Sequence, residues 1–202
     1  MNLFERAKGI LFSPPAEWEV IKTEEMSVAD MFAKYAAILA AIPAVAGFIG
    51  RCVVGYSILG IHSRVPYTSG IIWAILTYLL SLVSVYVLGI IIDALAPTFG
   101  AQKDQKASMK VAVFSMTASW VAGIFSIIPM LQILGILGLY SFYLLWVGLK
   151  TVKEVPDDKM IGYFLLTLVI AIGIYAVATV IAGLVIAAGT VGAALSHGLQ
   201  GQ

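Results

Sequence analysis

Asp93 is the one ionisable side chain set well inside a long apolar stretch, and the chemistry open to it is narrow. A carboxylate in a membrane helix is costly and by default faces a cavity, a cation or a partner, so Asp93 could hold a proton or a cation, or pair with Lys110. A plainer reading puts it one turn from its helix end, near Pro97, where it reaches water. Lys103, Lys106, Lys110, Ser115, Tyr140 and Tyr143 form a candidate face toward a partner. Tyr140, Phe142, Tyr143 and Trp146 make a polar-aromatic stripe that serves as core and interface belt or as a binding surface. Gln132 reads as an interface residue.

Little else in the chain can do chemistry. His62 and His197 fall in different segments, on a side expected to carry no Asp or Glu, so they offer no metal set. A lone Cys52 allows no intrachain disulfide and reads as a small packed residue. No serine sits in a nucleophile elbow, no glycine-rich loop cradles a phosphate, and no paired acids lie deep in a span. The expectation is a protein without catalysis, cofactor or metal.

The elements that must position these residues follow from composition. Of 202 residues, 61% are hydrophobic and only 11% charged. A soluble domain carries about 25% charged residues, so 12 + 11 = 23 charges cannot cover this surface, and lipid must cover the rest. With a net charge of +1 there is no basic stripe for nucleic acid. The fold class expected is all-α, a polytopic bundle of five transmembrane helices at about 31–50, 70–95, 110–129, 131–149 and 161–187.

Ahead of the bundle, residues 1–30 form an N-terminal segment. Leu3, Phe4, Ala7, Ile10 and Leu11 share one face of a helix, which suits either the headgroup region or packing as an ordinary amphipathic helix. Ser13-Pro14-Pro15 stops it, and Pro15 can open a second helix whose Trp18 is expected to anchor at the interface. Ser27 to Asp30 fits a capping pattern before the first span, which Pro43 should kink. Residues 51–69 either extend that span or lie along the surface. Only one residue separates the third and fourth spans, which makes them antiparallel neighbours. Residues 190–202 read as a short uncharged tail.

Lysine and arginine placement sets the orientation. The N-terminal segment and first turn hold Arg6, Lys8, Lys22 and Lys34; the central loop holds Lys103, Lys106 and Lys110; the 150–159 loop holds Lys150, Lys153 and Lys159. Only Arg51 and Arg64 lie opposite. The N-terminus and both loops are therefore expected in the cytoplasm and the C-terminus outside. Small residues at four-residue spacing (Ala33, Ala37 and Ala41; Ala178 and Ala182) suit close helix packing, within the chain or in a homo-oligomer.

With these residues in view, the chain resembles the Yip (Ypt-interacting protein) domain family in its prokaryotic form. The likeness is carried by Ser13-Pro-Pro-Ala-Glu-Trp18 before the first span and by Thr98-Phe-Gly100 leading to Lys110-Val-Ala-Val-Phe-Ser115. The close-set third and fourth spans and Leu139-Tyr140-Ser-Phe-Tyr143-Leu-Leu-Trp-Val-Gly148-Leu149-Lys150 add to it. Eukaryotic relatives bind Rab-type GTPases, but their Asp-Leu-Tyr-Gly-Pro signature is missing and no such partner is implied. The family's frequent proline after the serine of the third span is also absent. The resemblance implies a fold and a location, a plasma (inner) membrane of a prokaryote. The expected function is a non-enzymatic membrane protein that organises membrane or recruits an unnamed protein partner through its cytoplasmic face. The alternative is an oligomeric channel or transporter for an ion or small solute using Asp93.

Overall fold

The computed structural model describes residues 2–58 and 61–200, with side-chain surroundings over 2–55, 64–185 and at Ala187. Two short helices open the chain, α1 (Leu3–Phe12) and α2 (Pro14–Thr23). The Asn2 side chain accepts from the Phe4 amide at 3.1 Å to cap α1, and Pro14 occupies the first turn of α2, where its missing N–H costs nothing. Among the described residues, five helices long and apolar enough to cross a membrane follow: Val28–Val54, Tyr67–Phe99, Gln105–Ile127, Pro129–Val152 and Asp157–Val185. They match the five expected spans, each starting a few residues earlier. Between the first two, the strands β1 (Tyr56–Ile58) and β2 (Ile61–Ser63) pair antiparallel, Tyr56 opposite Ser63. The 51–69 stretch thus does both things left open: Arg51 to Val54 extend the first span, and a small strand pair follows.

Local chemistry explains the irregular places. Ser27 accepts from the Asp30 amide at 3.0 Å and caps the first span as its pattern required. Pro43 lies inside that span, and the third span meets it with Gly123, where an added Cβ would stand 2.5 Å from the proline Cβ. The fourth span begins as a 3₁₀ helix over Pro129–Leu139. At about 2.0 Å per residue those eleven residues rise about 22 Å rather than about 16 Å, so a short sequence still crosses its share of the bilayer. Gly100, at φ +74°, closes the turn after Phe99, a conformation that a Cβ would strain. The fifth helix runs on to Gln200, past the expected start of the tail. That tail holds glycines but no proline to stop it.

The third span is the axis, with 56% of its most apolar stretch buried against 6% for the fifth. Its first half lies beneath α1 and α2, which fold back onto the end of the bundle that carries most of the lysines. At the centre of this end Trp18, Tyr35 and Phe114 are fully buried. Phe114 meets Trp18 edge-on at 6.4 Å and Tyr35 at 4.7 Å between ring centres.

Candidate functional site

Polar groups gather at the lysine-rich end. Arg6 is 7% exposed and reaches from α1 to Glu17 of α2 at 2.6 Å and to Glu24 just beyond it, with its guanidinium 5.9 Å from the Phe114 ring centre. Two carboxylates in place make a buried guanidinium tolerable. Lys110 is drawn in from the third span and donates to the carbonyls of Lys22 at 3.1 Å and Glu24 at 2.8 Å. Those carbonyls end α2 and have no partner within it, so a cation there satisfies them and complements the helix dipole.

Asp93 lies a few residues away in a separate cluster. It is 8% exposed, and its ion pair is with Lys153 rather than Lys110. Lys153, one residue past the fourth span, places its ammonium 3.9 Å from the Asp93 carboxylate and donates to the carbonyls of Gln102 at 2.6 Å and Asp104 at 3.4 Å. Burial pushes the Lys153 ammonium below its ordinary pKa, while Asp93 and Asp104 pull it back. The Ser108 hydroxyl stands 3.2 Å from Asp93 and 2.8 Å from the Asp104 carbonyl, two acceptors for one proton. Tyr163 donates to the Ile92 carbonyl, and its ring stacks on Phe99 at 5.0 Å. Of the roles open to Asp93, an ion pair is present, and its partner is Lys153 rather than Lys110. In register, Lys110 faces α2, and the residue two earlier on the third span, Ser108, faces Asp93.

The remaining candidates divide. Lys103 and Lys106 are exposed, while Lys110 and Ser115 are buried, Ser115 donating to the Val111 carbonyl at 2.6 Å. Tyr140 and Tyr143 sit side by side at 5.3 Å, Tyr143 45% exposed. Trp18 is not an interface anchor: it is fully buried, with its six-membered ring against Gly148 of the fourth span. The apolar face of α1 is divided: Ala7 and Ile10 are buried in packing, while Phe4 stays exposed. The side chains of His62 and His197 lie outside the described residues. Sequence reasoning passed over Arg6, Ser108 and Lys153 as site residues. A lysine one residue past a span is also what positive-inside placement produces, so nothing distinguished Lys153.

Polar pairs also occur within the bundle, where none was expected. Tyr35 and Thr117 share a hydrogen bond at 2.8 Å, Ser119 and Ser141 another at 2.9 Å, and Trp120 donates to Ser81 at 3.1 Å. In the half of the bundle away from the lysines, the five spans enclose a cavity of about 760 Å³. Asp93 does not line it.

A family model described as the Yip1 domain matches residues 8–180, which include α2, the first four spans, most of the fifth and the cluster around Asp93. The chain belongs to the Yip1 domain family. Its resemblance to Yip proteins is thereby borne out over most of its length. The chain is also similar to the inner membrane protein YohC of Escherichia coli strain K12, 24% identical over 169 residues, covering 81% of this chain and 87% of that protein. The protein of the same name from Escherichia coli O6:H1 gives the same figures. No solved structure matches. This Yip1 domain protein is accordingly a multi-pass membrane protein with relatives in the bacterial inner membrane.

One contact at this end carries a pH prediction. Half-buried Lys22 of α2 meets exposed Glu154 of the loop after the fourth span at 2.5 Å. The lysine holds the Glu154 carboxyl below its ordinary range, and Glu154 raises Lys22 in turn. A depressed carboxylate contributes above its unfolded pKa and stops contributing as pH falls through the folded value. Spin labels on α2 and the 154 loop should therefore keep their separation from neutrality down to about pH 4 and move apart only below it. Separation that is unchanged at pH 2.5, about two units below an ordinary glutamate, would show that this pair holds nothing.

Proposed function

We propose that this Yip1 domain protein is a non-enzymatic inner-membrane protein that organises the membrane or recruits a protein partner through its lysine-rich end, which faces the cytoplasm. What supports this reading is where the charges are spent. Arg6, Lys110 and Lys153 fasten α1, α2 and the loops into a fixed plate, and Lys103 and Lys106 remain exposed on it. A plate built this way presents one defined surface to a partner.

Transport through Asp93 is the competing reading, and the cavity is the observation in its favour. Between Leu88, which lines the cavity, and Asp93 lie Gly89 packed on Met109 and the fully buried Ile92. This apolar plug separates the cavity from the carboxylate, whose charge Lys153 already balances. Liposomes holding wild-type protein or Asp93→Asn, assayed for ion flux and lipid scrambling, decide between the two. The recruiting reading expects neither protein to exceed empty liposomes. Flux in the wild type that Asp93→Asn abolishes would establish transport instead.

A further inference from the structure

We propose that the cavity between the spans binds one glycerophospholipid, its phosphate on Arg51 and an acyl chain along the cavity. The proposal does not rest on the role of the lysine-rich end, and either can fail alone.

Dimensions come first. A volume of about 760 Å³ is that of a ligand site rather than a packing defect. Trp73 and Leu88 of the second span both line it, and that length of helix rises about 22 Å. One leaflet measures about 15 Å of hydrocarbon plus about 5–7 Å of headgroup. The cavity thus spans one leaflet, from mid-bilayer to headgroup level, and ends at the apolar plug of Ile92 and Met109.

The charge is at the correct end. Arg51 closes the far end of the first span and lies on the Trp73 ring, 3.4 Å from its centre. A guanidinium is always charged and carries five N–H donors, so Arg51 sets a fixed positive charge for a phosphate at this end of the cavity.

The walls suit an acyl chain better than a solute. Their hydroxyls are largely spent on the protein: Thr77 donates to the Trp73 carbonyl, Ser119 binds Ser141 and the Gly138 carbonyl, and Ser81 accepts from Trp120. What they leave toward the cavity is mostly carbon. Entry is sideways. Gly135 of the fourth span and Gly183 of the fifth both line the cavity, and a Cβ on either would meet no atom within 4 Å. The wall is open there toward the bilayer, the source of a lipid.

The test uses the full chain, delipidated in detergent and titrated with phosphatidylglycerol under native mass spectrometry. The expected result is one tightly held lipid per chain, bound about tenfold more weakly by Arg51→Gln and only partly restored by Arg51→Lys, which keeps the charge and loses the stacked guanidinium. Gly135→Leu, which narrows the side opening without displacing any neighbour, should lose the tight lipid while melting like the wild type. Inorganic phosphate in excess should not compete. Equal binding by all variants would overturn the proposal, since the lipid would then be annular. Competition by phosphate would overturn it in favour of a small-anion site, and a lipid-free dimer in favour of a second copy filling the cavity.

Discussion

Trp18→Ala should release α1 and α2 from the bundle and lower its stability by about 3–5 kcal/mol, the range for emptying a fully buried tryptophan site. The indole is fully buried, and its seat is Gly148, where no side chain could stand beside it. The loss should appear as a lower melting temperature in detergent and as fast proteolysis between Thr23 and Ser27. Gly148→Leu should do comparable damage from the other side of the contact. The two together should cost less than their sum, because a leucine at 148 partly fills the space left at 18. Trp18→Phe should be far milder than Trp18→Ala. The indole N–H is buried without a hydrogen-bond partner, so its removal costs nothing and offsets part of the lost volume. A Trp18→Ala protein that melts and resists protease like the wild type would return Trp18 to the lipid interface.

Lys153→Met should cost more than Asp93→Asn, although both break the same contact. The methionine leaves a carboxylate 11% exposed with no cation, a defect worth about 3–5 kcal/mol. Asparagine removes that charge and keeps a partner for Ser108, while Lys153 retains the carbonyls of Gln102 and Asp104, so its cost should be about 1–2 kcal/mol. The double variant should be more stable than Lys153→Met alone, since the orphaned charge is gone. Thermal melts of the four proteins give the cycle, and strictly additive losses would mean that Asp93 and Lys153 do not interact.

The five spans were legible because crossing a bilayer imposes length and apolarity residue by residue, a constraint that needs no knowledge of neighbours. Ser27 capping the first span is local in the same sense. What lay beyond reach was contact between distant segments. Trp18 carries an interface pattern in its own helix, and only Gly148 makes its burial possible. Lys110 and Ser108 differ by two positions, about 200° around one helix, so which of them meets Asp93 depends on how that helix is turned toward its neighbours, which no local pattern states. The cavity had no signal either, because Arg51, Trp73, Gly135 and Gly183 are single residues on separate spans.

The docking of α1 and α2 also orders events during synthesis. Lys22 and Glu154, which meet in the finished protein, are 132 residues apart in the chain. At about 5–20 residues per second a ribosome needs on the order of ten seconds to make that interval. When that interval begins the first two helices exist while Phe114, Gly148 and Lys153 do not. Their apolar faces must wait at the membrane surface or on a chaperone until the fourth span has inserted. These two helices are made before the spans they pack on and reach their place after them.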